Sequence, residues 1–206
     1  KIAVNNITSE GYYGHTDNLD WDRPAKLGIS LGQTDLKDAI LIAGQHDKSL
    51  QWEGMPDLGT YAVQTIRRVQ KYTDRPILMR FHPRCQPFIP HHRFKMLLQN
   101  ENLYNCDIEI PKPVVNTYDV FDIDYAFHTV INHCSGPGIN AVIAGSNVLV
   151  DKKSLAYPMS IKLKQIENPP KKRNKDQWLV EISHTEYTVD EIAEGLWLTR
   201  LKNALE

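Results

Sequence analysis

Four short apolar runs recur along the chain, at residues 38–44, 76–81, 129–132 and 147–150. They are rich in isoleucine, leucine and valine, and they show little alternation of apolar and polar positions. Runs of this kind are typical of strands that are covered on both faces, as in a parallel sheet. The pattern therefore predicts four strands of a mostly parallel sheet.

Helical periodicities lie between and after these runs. From Leu58 to Tyr72, apolar residues recur at i, i+3, i+4 and i+7, and Arg67 and Arg68 fall on the opposite face. Near the C-terminus, Thr188 and Glu191 have the spacing of a capping box, which predicts a final helix that runs to about residue 205. Strands that alternate with helices predict an α/β fold over residues 36–206. Residues 1–35, with glycines, tyrosines and a proline turn, are expected to be irregular.

The overall charge gives no direct clue to a partner. Lys and Arg total 24, Asp and Glu total 25, and the formal net charge is −1. This balance excludes a strong overall attraction to nucleic acid or to an anionic membrane. Residues 125–150 contain no Asp, Glu, Lys or Arg, but polar and helix-breaking residues within them argue against a membrane span.

Cysteine usage points to a reducing compartment. Cys85, Cys106 and Cys134 form no CxxC pair, and no pattern typical of a signal peptide is present. We therefore expect an intracellular, cytoplasmic protein, and because the chain begins at Lys1 we interpret it as a fragment.

A basic segment lies at the C-terminal end of the second predicted strand. Arg80, His82 and Arg84 are spaced two residues apart, so they lie on one side of the chain if the strand remains extended. Guanidinium groups bind phosphate oxygens in pairs, and imidazole can donate one more hydrogen bond. In parallel sheets, ligands bind where the strands end. The segment thus predicts a phosphate or diphosphate site, whereas the alternative is a set of solvated surface charges.

The segment at residues 135–145 is the most informative of the chain. Ser135 can cap a helix, Pro137 suits the first helical turn, and Gly136 and Gly138 permit close approach to the backbone. A helix N-terminus that begins in this way is suited to binding an anion. The alternative is a tight strand-to-helix turn without a ligand.

The sequence from Ser135 to Val150 resembles a known family. Its Ser-Gly-x-Gly-x-x-Ala-x-x-Ala-Gly pattern is similar to the nucleotide-sugar motif in the donor-binding half of GT-B glycosyltransferases. The segment from Arg80 to Arg84 resembles the basic His-Pro element of Kdo-transferase-like and capsule-type members. Other segments, including residues 40–51 and 177–197, resemble bacteriophage-encoded proteins interpreted as glycosyltransferases, for which the compartment is the host cytoplasm.

The resemblance implies a Rossmann-like donor domain and a set of site residues. It places the donor diphosphate at Ser135, Gly136 and Gly138, with Arg80 and Arg84 neutralising it and His82 nearby. Asn140 stands where many family members have a glutamate that holds the ribose. Gln45 and Asp151 are expected to line the same cleft. No tightly bound cofactor and no metal are expected, and the nucleotide-diphosphate sugar is a co-substrate.

The length leaves little room for the acceptor half that GT-B enzymes have. Residues 1–35 would be its remnant, with Asp17 as a base for the acceptor hydroxyl or as a turn residue. Three functions stay open: transfer of a sugar to a modified DNA base or a surface glycan, a non-catalytic module that binds nucleotide, glycan or nucleic acid, and a nucleotide-sugar epimerase. The chain could act as a homo-oligomer or with a partner subunit that supplies the acceptor half.

Two other features of the sequence give weaker indications of function. Asp122 and Asp124 have the DxD form of some metal-dependent enzymes, but we interpret them as solvated or capping residues. A basic loop could contact DNA phosphates if the acceptor is DNA, although such loops are usually only solvated. Its charged residues are Lys171, Lys172, Arg173 and Lys175.

Overall fold

A computed structural model describes residues 19–32, 35–83, 91–117, 120–170, 174–198 and 202. Its central element is a parallel sheet of five strands, with the order β3-β2-β1-β6-β7. The strands are β1 (Lys37–Ala43), β2 (Ile77–Arg80), β3 (Cys106–Ile108), β6 (Phe127–Ile131) and β7 (Asn147–Leu149). A separate antiparallel pair, β4 (Lys112–Pro113) and β5 (Phe121–Asp122), lies in the connection from β3 to β6.

The helices are α1 (Arg23–Lys26), α2 (Leu58–Val69), α3 (His91–Asn100), α4 (Gly136–Ile143), α5 (Lys175–Ser183) and α6 (Val189–Ala193). The fold is therefore α/β and Rossmann-like, with a mostly parallel sheet flanked by helices, as predicted. All four apolar runs form strands of the sheet. The amphipathic periodicity from Leu58 forms α2, whose first turn is capped by the side chain of Asp57.

The sheet is covered on both faces, which explains the continuous apolar runs. Ile40 and Ile42 of β1 face one layer and pack with Ile66 of α2 and Phe94 of α3. Leu41 and Ala43 face the other layer, which contains Val142 of α4 and Trp178 of α5. Alternate residues of one strand thus enter two different cores, so neither face of β1 can be polar.

Two parts of the chain differ from the sequence prediction. The predicted C-terminal helix does not continue unbroken, because α6 ends at Ala193 and Gly195 has a φ of 74°, which a helix interior does not accommodate. The sequence pattern predicts neither β3 nor the β4–β5 pair. Residues 19–32 include α1, and Ile29 and Leu31 pack against the core on the α5 side. The boundary at residue 35 stays a prediction.

The β3-to-β6 connection shapes the molecule beside β2. Parallel strands are usually joined by a helical crossover. Here the described residues of the connection form the β4–β5 pair instead of a helix. This leaves a cavity over the end of β2, on the sheet face that α4 covers. Among the residues described, no helix combines the length and the apolar character needed to span a bilayer.

Candidate ligand site at the carboxyl edge of the sheet

The strand order changes direction between β1 and β6. From β1 the chain adds β2 and then β3 on one side, and it returns to add β6 and then β7 on the other. In open α/β sheets, ligands bind in the crevice beyond the carboxyl ends of the strands at such a switch point. In this chain that crevice lies beyond Ala43 and Ile131, the last residues of β1 and β6.

A cavity of about 440 Å³ opens at this edge, and we call it the first cavity. Its lining brings together four residues that were predicted from the sequence: Arg80 at the end of β2, His82 just beyond it, and Ser135 and Gly136 at the start of α4. Its other wall comes from the β3-to-β6 connection and is largely apolar. The residues of that wall are Val120, Phe121, Ile123 and Tyr125.

Arg80 is buried at the base of the first cavity, with only 3% of its surface exposed. Its Nε and Nη2 atoms donate to one carboxylate oxygen of Glu109 at 2.8 and 2.5 Å, and Nη2 also donates to the carbonyl of Asp124 at 2.7 Å. The guanidinium lies 5.2 Å from the ring centre of Tyr125. Arg80 is therefore not the isolated positive charge that the spacing suggested, because Glu109 balances it.

One nitrogen of Arg80 nevertheless lacks a partner. Nη1 is buried and makes no hydrogen bond in the described part of the chain. Buried N–H groups without acceptors are rare in proteins, because each loses its hydration without compensation. Because Arg80 lines the first cavity, Nη1 is a candidate donor to an acceptor bound there.

The start of α4 is organised by Asn132 rather than by Ser135. Ser135 occupies the N-cap position, as predicted, but its side chain makes no capping hydrogen bond. Instead its N–H donates to Asn132 Oδ1 at 2.8 Å, and Asn132 Nδ2 donates to Ser135 Oγ at 3.0 Å. Asn132 Nδ2 also donates to the carbonyl of Ala43 at 2.8 Å, which joins β6 to the end of β1. Nothing in the local sequence singled out this role of Asn132.

The two glycines of the motif have different surroundings. A Cβ atom on Gly136 would meet nothing within 4 Å, so this residue leaves the cavity side of the helix open. A Cβ on Gly138 would lie 3.0 Å from Val150 Cγ1 and 3.4 Å from the Cβ of Ala156. Gly138 thus permits α4 to pack against the chain beyond β7. Its predicted contact with a diphosphate stays a prediction.

Asn140 lies near the first cavity through its contact with Tyr125. Burial raises the pKa of the Tyr125 hydroxyl, while the charge of Arg80 and side-chain hydrogen bonds with Asn140 and Arg80 oppose this shift. The hydroxyl therefore stays protonated at neutral pH, and it can both donate and accept a hydrogen bond. Asn140 consequently has a defined position beside the cavity, although it is itself exposed.

Gln45 and Asp151 do not line the first cavity with the other selected residues. Gln45 is buried, its Nε2 donates to Ser49 and Gln51, and its Oε1 accepts from the N–H of Cys134. It therefore fastens the loop after β1 to the turn after β6. Asp151 lines a different cavity, on the α2 side of the sheet. The expectation that both residues share one cleft with Arg80 is not met.

His46 joins the edge of the site although the sequence analysis did not select it as a site residue. Its ring centre lies 5.3 Å from that of His82, with the two rings in an edge-to-face arrangement. His46 Nδ1 accepts a hydrogen bond from the N–H of Lys48 at 3.1 Å. The same nitrogen lies 3.4 Å from Asp47 Oδ1.

Several selected residues lie outside the described part of the chain: Asp17, Arg84, Lys171, Lys172 and Arg173. Lys175 is described, and its Nζ donates to the carbonyl of Gly145 beyond the end of α4 at 3.3 Å. Of the DxD pair, Asp124 accepts from the N–H of Ala126, two residues further on, and forms an ion pair with Lys37. No group of three or more metal-ligating side chains assembles among the described residues.

The similarity of this chain to known proteins is distant and structural. No protein-family model matches the chain, and no curated protein matches it. A solved structure with a similar fold is KpsC from Thermosulfurimonas dismutans, a β-Kdo 2,7 transferase, at 20% sequence identity and a TM-score of 0.41. The alignment covers 78% of this chain and 49% of KpsC. The chain thus spans about half the length of that protein.

Proposed function

We propose that the chain is the donor-binding part of a glycosyltransferase, and that the first cavity binds a nucleotide-diphosphate sugar. One observation carries the proposal: Arg80, whose buried Nη1 has no partner among the described residues, and the N-terminus of α4 line the same cavity at the switch point of the sheet. Both are hydrogen-bond donors of positive character, and both suit a diphosphate. The resemblance of residues 135–150 to the GT-B donor motif supports the same assignment.

The lining of the first cavity divides into two parts with different chemistry. Phe121 and Tyr125 supply aromatic surface for the base. Gly136 supplies an N–H group without an intrahelical acceptor, because it is the first residue of α4. Since the neighbouring Pro137 has no N–H, the diphosphate would be held by the backbone at Gly136 together with Arg80.

These donors would also act on the reaction. Transfer forms a bond between the acceptor oxygen and the anomeric carbon, and it breaks the bond from that carbon to the diphosphate. The departing diphosphate takes the electron pair, and its growing negative charge is stabilised by donors that are already oriented. The proton of the acceptor hydroxyl needs a base, for which His82 is the titratable candidate on the described lining. A modified DNA base and a surface glycan are the proposed acceptors.

A second candidate function is binding without turnover. No carboxylate is present among the described residues that line the first cavity. A carboxylate is a common general base, and on this lining His82 would have to serve in its place. A donor domain that works with a partner subunit, or only as a binding module, would need no such group of its own.

The test is calorimetric titration of the chain with UDP, GDP, CMP and dTDP and with their sugar conjugates. We expect one nucleotide family to bind, and we expect Gly136→Leu to abolish that binding because the new side chain enters the first cavity. The matched control is Gln64→Leu, which adds the same side chain at an exposed position of α2. If no nucleotide binds, the proposal is wrong.

Turnover distinguishes the two candidate functions. Release of free nucleotide from the bound sugar conjugate, followed by chromatography, supports the transferase. Tight binding with no release, even when acceptor sugars and DNA are added, supports the binding module.

A further inference from the structure

A second cavity, of about 380 Å³, lies on the α2 side of the sheet beyond β6 and β7. Its volume falls within the range of roughly 300–1,000 Å³ that is typical of ligand sites. Its polar lining includes Tyr61 and Arg68 of α2, His133 after β6, and Asp151 and Tyr157 after β7. None of these residues lines the first cavity, so a ligand here would be a different one.

The charged groups of the second cavity are not neutralised by one another. Arg67, the neighbour of Arg68, forms an ion pair with Glu101. Arg68 itself has no ion-pair partner in the portion of the chain that the structure describes, although it lines the same cavity as Asp151. One oxygen of Asp151 accepts the N–H of Lys153 at 3.0 Å. The cavity therefore offers a guanidinium and a carboxylate oxygen as separate binding groups.

The remaining polar groups add hydrogen bonding without adding charge. Burial raises the pKa of Tyr61, so its hydroxyl is neutral, and loss of solvation lowers the pKa of His133, so its ring is neutral at pH 7. The ring of Trp52 packs against both, at 5.0 Å from Tyr61 and 5.6 Å from His133. Because Trp52 is buried and donates to the carbonyl of Pro56, it holds the wall of the cavity in place.

We propose that the second cavity binds a small hydroxylated organic anion, with its carboxylate or phosphate group on Arg68 and its hydroxyl groups on Asp151 and Tyr61. Guanidinium groups bind such anions in a bidentate manner. A carboxylate oxygen accepts hydroxyl donors, and the rings of Tyr61 and Tyr157 suit the apolar face of a sugar ring. The proposal that a ligand binds here is argued from the second cavity alone. The proposal that this ligand is a second substrate rests on the proposed function.

The position of the second cavity fits a second substrate. Asn132 lines the second cavity, and Ser135, three residues later, lines the first. The hydrogen bond of 3.0 Å between their side chains is therefore part of the partition between the two cavities. Ligands in both cavities would approach each other across this turn.

The experiment is a titration of the ¹⁵N-labelled chain with sodium D-glucuronate, D-glucose and inorganic phosphate, followed by NMR. We expect glucuronate to shift the signals of residues around the second cavity, and we expect Arg68→Gln to weaken its binding by about tenfold or more. Arg67→Gln is the matched control, because it removes the adjacent charge outside the cavity, and it should change the affinity less than twofold.

Each other outcome overturns the inference. If glucose binds as well as glucuronate, Arg68 does not recognise an anion, and if phosphate binds as well as glucuronate, the hydroxyl groups are not recognised. An absence of shifts with all three probes overturns the site itself. Nucleotide binding to the Arg68→Gln variant separates the two proposals, because Arg68 does not line the first cavity and the nucleotide affinity should be unchanged.

Discussion

Arg80 and Glu109 form a pair in which two nitrogens of the guanidinium contact a single carboxylate oxygen, Glu109 Oε2, at 2.8 and 2.5 Å. Glu109 follows β3 directly, and its N–H donates to the carbonyl of Met79, so the pairing of β2 with β3 brings it beside Arg80. The side chain of Arg80 is 4% exposed and that of Glu109 is 27% exposed. The pair thus fixes a buried guanidinium beside the first cavity, and the Glu109 carboxylate offsets its positive charge.

Replacing Glu109 by Gln should change stability and nucleotide affinity in opposite directions. The unfolding free energy should fall by about 1–3 kcal/mol, because the buried guanidinium loses its counter-charge. Affinity for a nucleoside diphosphate should rise, because the charge of Arg80 is no longer offset. Urea unfolding and calorimetric titration measure the two effects.

Glu101→Gln is the control for this variant. Glu101 pairs with the exposed Arg67, and such surface pairs contribute about 0–1 kcal/mol. In the Glu101→Gln variant, neither the unfolding free energy nor the nucleotide affinity should change much. A lower nucleotide affinity in Glu109→Gln would contradict the assignment of Arg80 to the ligand.

Asn132→Ala should lower both stability and nucleotide affinity. Asn132 is buried, and its removal takes away the hydrogen bonds that its side chain makes with the carbonyl of Ala43 and with the N–H of Ser135. We expect a loss of about 2 kcal/mol in unfolding free energy, together with a several-fold weaker nucleotide complex, because the first turn of α4 is no longer held. Denaturant unfolding and calorimetry again provide the measurements.

Asn147→Ala is the control that separates the effect on stability from the effect on nucleotide affinity. Asn147 Nδ2 also donates to a backbone carbonyl, that of His128, but this bond lies at the opposite end of β6 from the cavities. The variant should be destabilised and should bind nucleotide normally. If both asparagine variants lost affinity equally, the effect of Asn132 would be one of general stability.

The sheet could be predicted from the sequence where its strands were buried on both faces. Residues of β1 enter two cores, so the run is continuously apolar and easily recognised. β3 comprises only Cys106–Ile108 at the sheet edge, with an exposed Asp107, and so it leaves no such pattern. The β4–β5 pair contains Pro113 and exposed residues, so it also lacks the apolar pattern of a buried strand.

The site was predictable where it depends on local backbone geometry. The structure brings four predicted residues to one cavity: Arg80, His82, Ser135 and Gly136. They were predicted because each lies at the end of a predicted strand or shortly after one. Glu109 was not foreseen, because it reaches Arg80 only through the pairing of β2 with β3. The sequence also could not show that Asp151 lies apart from these residues, because its position depends on which face of the sheet the loop after β7 follows.

The two glycines at the start of α4 should respond differently to alanine. Gly136→Ala should leave stability unchanged or raise it by up to about 1 kcal/mol, because the new methyl group meets no atom and the unfolded chain loses freedom. Gly138→Ala should lower stability by about 1–3 kcal/mol, because its Cβ would lie 3.0 Å from Val150 Cγ1. Thermal and urea unfolding of both variants check the contrast.

Val150→Ala provides the rescue for Gly138→Ala. Removing the contacted methyl groups should make the double variant more stable than the sum of the two single changes predicts. Strict additivity would show that Val150 is not the obstacle.

The pair formed by Arg23 and Glu191 should make stability depend on pH in acid. Both oxygens of Glu191 accept hydrogen bonds from the Arg23 guanidinium, which joins α1 to α6. Mainly because of this contact, the pKa of Glu191 falls from 4.5 to about 2. A lowered carboxyl pKa contributes stability above the unfolded-state value, and the contribution is lost as the pH falls through the folded-state value.

Glu191→Gln should therefore be less stable than the original chain at pH 7, by about 1 kcal/mol after allowance for solvent screening. The difference should narrow as the pH is lowered from about 4.5 towards about 2, where Glu191 becomes protonated in both states. Glu194→Gln, an exposed change one turn later, should show no such convergence. Urea unfolding at a series of pH values provides the comparison. A constant difference between Glu191→Gln and the original chain across this range would mean that the loss arises from packing and not from the charge of Glu191.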